Sequence, residues 1–163
     1  MLIRAIDRAD KGDVFPWIRT AFETIGFARV STSADDARRL GYLRDVDSVT
    51  MNRERAIAEA KAEALNRVRE GYRPPAPRST IPVGGADLYA KLSLGVHLLL
   101  RGGRITDHDA LVARKLAWVL AGGDMPHATT VSEQYLLDLE REAFLSLCGE
   151  SRTLAKISDR LRR

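Results

Sequence analysis

Four prolines stand within nine residues, at Pro74, Pro75, Pro77 and Pro82. Proline fixes φ and has no N–H to donate, so the stretch Arg73–Pro82 cannot continue a helix and divides the chain into two parts. On each side the apolar residues recur at spacings of three and four, the period of amphipathic helices. The expected architecture is therefore all-α: two helical clusters joined by a proline-rich linker, with boundaries at 1–71, 72–84 and 85–163. Nothing in the chain reads as a sheet with partners.

Before the linker, Leu2, Ile3 and Ile6 predict a first helix over Met1–Ala9, and Asp10-Lys11-Gly12-Asp13 reads as a turn. Asp13 is the expected N-cap of a second helix, with Pro16 in its first turn and Trp17, Ala21, Phe22 and Ile25 on one face. Ser33-Ala34-Asp35-Asp36 approximates a capping box for a short helix that Gly41 stops. Val46–Met51 reads as a brief extended segment. From Asn52 a long helix runs to Gly71, with Ile57, Ala60, Ala64 and Val68 as a narrow buried stripe.

Past the linker the punctuation is clean. Leu88, Leu92, Val96 and Leu99 mark one helix, closed by Gly102-Gly103. Thr106 and Asp109 open the next, which ends at Gly122-Gly123. A third, behind the box-like Thr130-Val131-Ser132-Glu133, carries Leu136, Leu139, Ala143 and Leu147 on one face and stops at Gly149. Leu154, Ile157 and Leu161 predict a last short helix.

The residue inventory argues against most chemistries. The longest apolar stretch, around Leu92–Leu100, is far below the ~20 residues of a membrane span. No secretory leader is read at Met1, so a cytoplasmic chain is expected. The net charge of +4 arises from basic residues interleaved with 22 acidic ones, the pattern of solvated helix faces, so no nucleic-acid partner is expected. Cys148 lies among leucines with no His or Lys near it in sequence, as suits a reduced, buried thiol.

His97, His108 and His127 do not fall at metal-ligand spacing; His97 reads as an interior histidine and His108 as part of a helix N-terminal region. The pairs Gly102-Gly103 and Gly122-Gly123 follow helices, whose ends present carbonyls, and read as stops and not as phosphate cradles. Glu133, Asp138, Glu140 and Glu142 read as solvated or ion-paired carboxylates of one helix. No catalytic, cofactor-binding or metal residue is expected. Residues 30–42 resemble the first helix and turn of helix-turn-helix DNA readers, but Asp45 and Asp47 follow where a recognition helix should start.

One pattern fits the chain over essentially its whole length. Ser33-Ala34-Asp35-Asp36-Ala37-Arg38-Arg39-Leu40-Gly41-Tyr42-Leu43, followed by a long helix, resembles a phrase of the crotonase (enoyl-CoA hydratase) superfamily. Gly102–Asp109, Lys115–Gly123 and above all Val131–Leu145 resemble the C-terminal region of bacterial enzymes that fuse enoyl-CoA hydratase to 3-hydroxyacyl-CoA dehydrogenase. The resemblance implies a parent enzyme of fatty-acid β-oxidation that uses NAD and acyl-CoA. It places the catalytic carboxylates, oxyanion hole and dinucleotide fold upstream of Met1, so none is carried onto this chain.

By that resemblance residues 1–71 would be the C-terminal helices of a crotonase fold and 85–163 a helical cap. Both would serve packing, acyl-CoA pocket closure or subunit assembly, with the hydratase and dehydrogenase domains or a second copy as partners. The alternatives are a small helix-turn-helix DNA-binding protein and a complete hydratase with unrecognised residues.

Overall fold

The structure, a computed structural model, describes residues 1–9 and 12–162. It is mostly helical. Its helices are α1 (Leu2–Arg8), α2 (Phe15–Gly26), α3 (Ala34–Leu40), α4 (Ala56–Arg69), α5 (Gly85–Arg101), α6 (Asp107–Ala121), α7 (Glu133–Cys148) and α8 (Ser151–Leu161). The predicted Asp10–Asp13 turn lies partly outside the described residues.

A small sheet was not expected. Strand β1 (Ile81–Val83) pairs antiparallel with β2 (Thr129–Val131), Ile81 opposite Val131 and Val83 opposite Thr129. A two-stranded ribbon leaves each strand a free edge, so Pro82 sits in β1 without costing a ladder bond. Ile81 and Val83 point inward and Pro82 outward. The segment is too short to show period-two alternation, so the sequence gives only its non-helical character.

The compact units also differ from the expected division. One unit comprises Met1–Arg29 together with Pro77–Arg163, the other Val30–Ala76. The physical reason lies in the core of the first unit. Leu2 and Ala5 of α1, with Ile18, Ala21 and Phe22 of α2, share one apolar cluster with Leu88, Leu92 and Val96 of α5 and with Ala110, Ala117, Leu120 and Ala121 of α6. The first two helices therefore belong with the second half of the chain. In α2 the buried face runs through Ile18, Ala21, Phe22 and Thr24, and the bulky Trp17 indole is left on an exposed flank instead of on the expected face.

Local signals place the helices of this unit. Asp13 accepts a hydrogen bond from the Phe15 N–H (2.9 Å), but the N-cap of α2 is Val14, one residue later than expected, and no side chain caps the helix. Thr106 and Asp109 form a reciprocal capping box at α6, and Gly122 ends that helix at φ 93°. A Cβ on Gly122 would lie 2.6 Å from Val83 Cγ2, so the left-handed stop also lets the sheet approach. At α7, Ser132 accepts from the Tyr135 N–H (3.1 Å), but Glu133 does not complete a box. Its carboxylate instead accepts from the Arg78 N–H (3.2 Å), while its own N–H donates to the Arg78 carbonyl (2.8 Å).

In the second unit Ser33 caps α3 by accepting from the Asp36 N–H (3.0 Å), and Gly41 closes it in the left-handed region. Asn52 caps a single 3-10 turn, Arg53–Arg55, that leads into α4. Residues 46–51 form no strand, because no neighbouring segment pairs with them. The expected buried stripe of α4 is not buried: Ile57, Ala60, Ala64 and Val68 are all exposed. The exposed pairs Arg55–Glu59 and Arg67–Glu63 run along its surface.

Candidate functional site

The first unit holds an open groove of about 920 Å³ between α6 and α7. Its floor is built by Ala113, Leu116 and Leu120 of α6 and by Leu136 and Ala143 of α7. Met1, Leu2 and Ile3 at the start of the chain, Ile25 near the end of α2 and Lys156 of α8 also line it. Two of the lining residues, Ala113 and Ala143, are small. Ile25, Leu137 and Phe144 line it and stay substantially exposed.

Charges sit on the rim and are mostly paired. Asp109 holds Lys156, and also accepts from the hydroxyl (2.7 Å) and the N–H (3.1 Å) of Thr106. The Lys156 hydrogen bond first, then those of Thr106, lowers the Asp109 pKa to about 2. Arg141 is paired with Asp138 (2.8 Å), which also takes a bond from Gln134 (2.9 Å). Glu133 is occupied by Arg78, and Glu140 and Glu142 are exposed. An apolar floor with neutralised rim charges suits the burial of apolar surface better than proton transfer.

The histidines fall differently from expectation in one case. His97 is exposed, because the buried stripe of α5 passes through Leu88, Leu92 and Val96 and the next residue points away from it. His108 is buried in the first turn of α6, where its Nε2 lies 3.2 Å from the Thr153 hydroxyl of α8. A histidine beside a hydroxyl is the first element of an activated nucleophile, but that chemistry needs a group orienting the other ring nitrogen and access for a substrate. Among the described residues no carboxylate bonds that nitrogen, and neither His108 nor Thr153 lines the groove. The pair is a tie between α6 and α8.

His127 lies in an exposed loop, and its carbonyl passes close over Gly85. Cys148 is half-buried in the last turn of α7 and free. Among the described residues no group of three His, Cys, Asp or Glu side chains is placed to hold a metal ion, and no helix is long and apolar enough to cross a membrane. Residues 41–52 and a 3-10 turn separate α3 from α4, far more than the three- or four-residue turn of a helix-turn-helix reader, so that alternative loses its structural basis.

The groove itself was not singled out from the sequence. The signal was present in α7, where Leu137, Phe144 and Leu145 lie outside the Leu136–Leu139–Ala143–Leu147 stripe and make the apolar arc wider than one packed face needs.

No family model matches the chain and no solved structure matches it. It is 42% identical over 140 residues to a probable 3-hydroxyacyl-CoA dehydrogenase of Bacillus subtilis (strain 168). The match takes in 86% of this chain but 18% of that protein, so the chain corresponds to under a fifth of its relative's length.

Proposed function

We propose that this chain is a non-catalytic helical portion of a fatty-acid β-oxidation enzyme, serving to pack against and complete its catalytic parts. The observation that carries the reading is the 42% identity to one stretch of a 3-hydroxyacyl-CoA dehydrogenase, a stretch that is 18% of that protein. The open α6–α7 groove supports it, since its floor offers an apolar surface suited to covering by further polypeptide.

In this reading NAD and acyl-CoA belong to the catalytic parts, and the groove serves interdomain packing, closure of an acyl-CoA pocket or subunit assembly. A hydratase of the crotonase kind as part of the parent rests on the Ser33–Leu43 and Val131–Leu145 resemblances alone. The cytoplasm is the proposed location, and self-association is the expected behaviour of the purified chain.

Two assays test the catalytic side of the proposal: NADH formation from a 3-hydroxyacyl-CoA and hydration of crotonyl-CoA by the purified chain. Neither is expected to exceed the blank. Turnover that co-elutes with the chain through successive columns would overturn the reading in favour of a complete enzyme.

A further inference from the structure

Helix α5 buries Leu88, Leu92 and Val96 on its inward face. Its outward face is apolar as well. Leu94 and Leu98 are 59% and 63% exposed, and Ala90 is exposed beside them. None of the three lines the α6–α7 groove. A charge stands at each end of this outward line, Asp87 in the first turn and Arg101 in the last, both exposed. Among the described residues neither takes part in a salt bridge.

The helix dipole accounts for an acid at the start of a helix and a base at its end. It does not account for the leucines between them. Asp87, Leu94 and Arg101 follow one another at seven-residue intervals, and seven residues return a helix to within about 20° of the same direction. Ala90 and Leu98, four residues before and after Leu94, flank that line about 40° to either side. The face is therefore symmetric in position about Leu94 and opposite in charge at its two ends.

We propose that this face binds the same face of a second copy of the chain, the two α5 helices lying antiparallel about a twofold axis at Leu94. A twofold contact is self-complementary, so every interaction is made twice. Leu94 meets Leu94 of the second copy, and each Leu98 comes level with Ala90 of the other helix, whose small side chain admits close approach. Each Asp87 falls opposite Arg101 of the other copy, where a parallel pair would set acid against acid and base against base. A seam one helix long is a small interface, below ~1,200 Å², so the dimer is weak until other contacts add to it. The inference rests on the self-association in the reading above and gives it a surface separate from the groove, so its failure leaves the role of the groove standing.

The test reverses one charge at a time. D87R and R101D each leave like charges facing one another at both ends of the seam, and each should raise the dimer Kd about tenfold or more at low salt. An equimolar mixture of the two variants restores opposite charges at both ends, and its Kd should return to within about threefold of that of the unmodified chain. L94D should abolish the dimer. Sedimentation equilibrium reads all four samples, and circular dichroism melts confirm that these substitutions at exposed positions leave the chain folded. An unmodified chain that stays monomeric into the millimolar range overturns the proposal. So does dimerisation that the single variants or L94D leave intact, which would place self-association on another surface, and so does a mixture that associates no more tightly than its components.

Discussion

The Arg78 guanidinium grips the Asp7 carboxylate through two hydrogen bonds of 2.7 and 2.8 Å, joining residues 71 positions apart. With the Arg78 N–H on the Glu133 carboxylate and the Glu133 N–H on the Arg78 carbonyl, this contact returns the chain after its proline-rich stretch to both α1 and α7. The hydrogen bonds from Arg78 lower the Asp7 pKa and raise that of Arg78 itself. Both side chains are about half exposed, so solvent screening limits the benefit. A D7N/R78Q double-mutant cycle in urea should give a coupling of about 0.5–1 kcal/mol at low salt, shrinking as salt is added. A coupling of zero at low salt would show that the pair does not fasten this corner.

Gly85 stands where no side chain fits. Its φ is 58°, and a Cβ there would lie 2.5 Å from the His127 carbonyl oxygen. G85A should cost about 3 kcal/mol, from left-handed strain and overpacking together. Gly103 has a similar φ of 65° with nothing within 4 Å, so G103A should cost about 1 kcal/mol, the backbone contribution alone. Equal losses in thermal or chemical unfolding would mean that the close approach of the His127 loop is not realised.

Acid should loosen the contact between α6 and α8. Asp109 has a folded pKa of about 2 against an ordinary 3.8, lowered chiefly by Lys156 and then by Thr106. A depressed folded pKa contributes stability that is present above the unfolded value and lost as pH falls through the folded one. Unfolding free energy should therefore decline between about pH 4 and pH 2, and K156M should flatten that decline. A carboxyl NMR titration placing Asp109 at its ordinary value would refute the account of this contact.

Core and surface stripes should respond very differently to truncation. L92A removes a buried leucine of α5 and should cost about 2–4 kcal/mol. I57A changes an equally apolar position in the α4 stripe that is exposed, and should stay within about 0.5 kcal/mol. A loss in I57A as large as that in L92A would mean that α4 is covered in solution, by self-association for example; light scattering distinguishes that case.

The contrast between those two positions shows what the sequence made legible. Helix ends were readable because their signals are local: Ser33 and Thr106 each accept a backbone N–H of their own first turn, and Gly41 and Gly122 take the left-handed conformation at their helix ends, whereas α7 is capped by Ser132 and the Thr130 of the expected box lies in β2. Burial was less readable because it depends on partners. The three-and-four spacing of Ile57, Ala60, Ala64 and Val68 marks one helix face correctly, yet nothing in the spacing says whether another element covers it. The same reason explains Trp17 and His97, each next to the residue that packs inward. Pairing of β1 with β2 joins three-residue segments far apart in sequence, below the length at which alternation can be recognised. The groove came from two helices together, and only its α7 half left a trace in the sequence.

The central claim, that the chain packs against and completes a catalytic enzyme, is tested most directly on the Bacillus subtilis relative. The matched stretch would be deleted from that dehydrogenase, or replaced by this chain, and soluble yield and NADH formation from a 3-hydroxyacyl-CoA measured for both. Deletion should abolish soluble, active enzyme; replacement should restore it, and L116D/L136D on the groove floor should remove it again. A deleted enzyme that stays monodisperse and fully active would contradict the account.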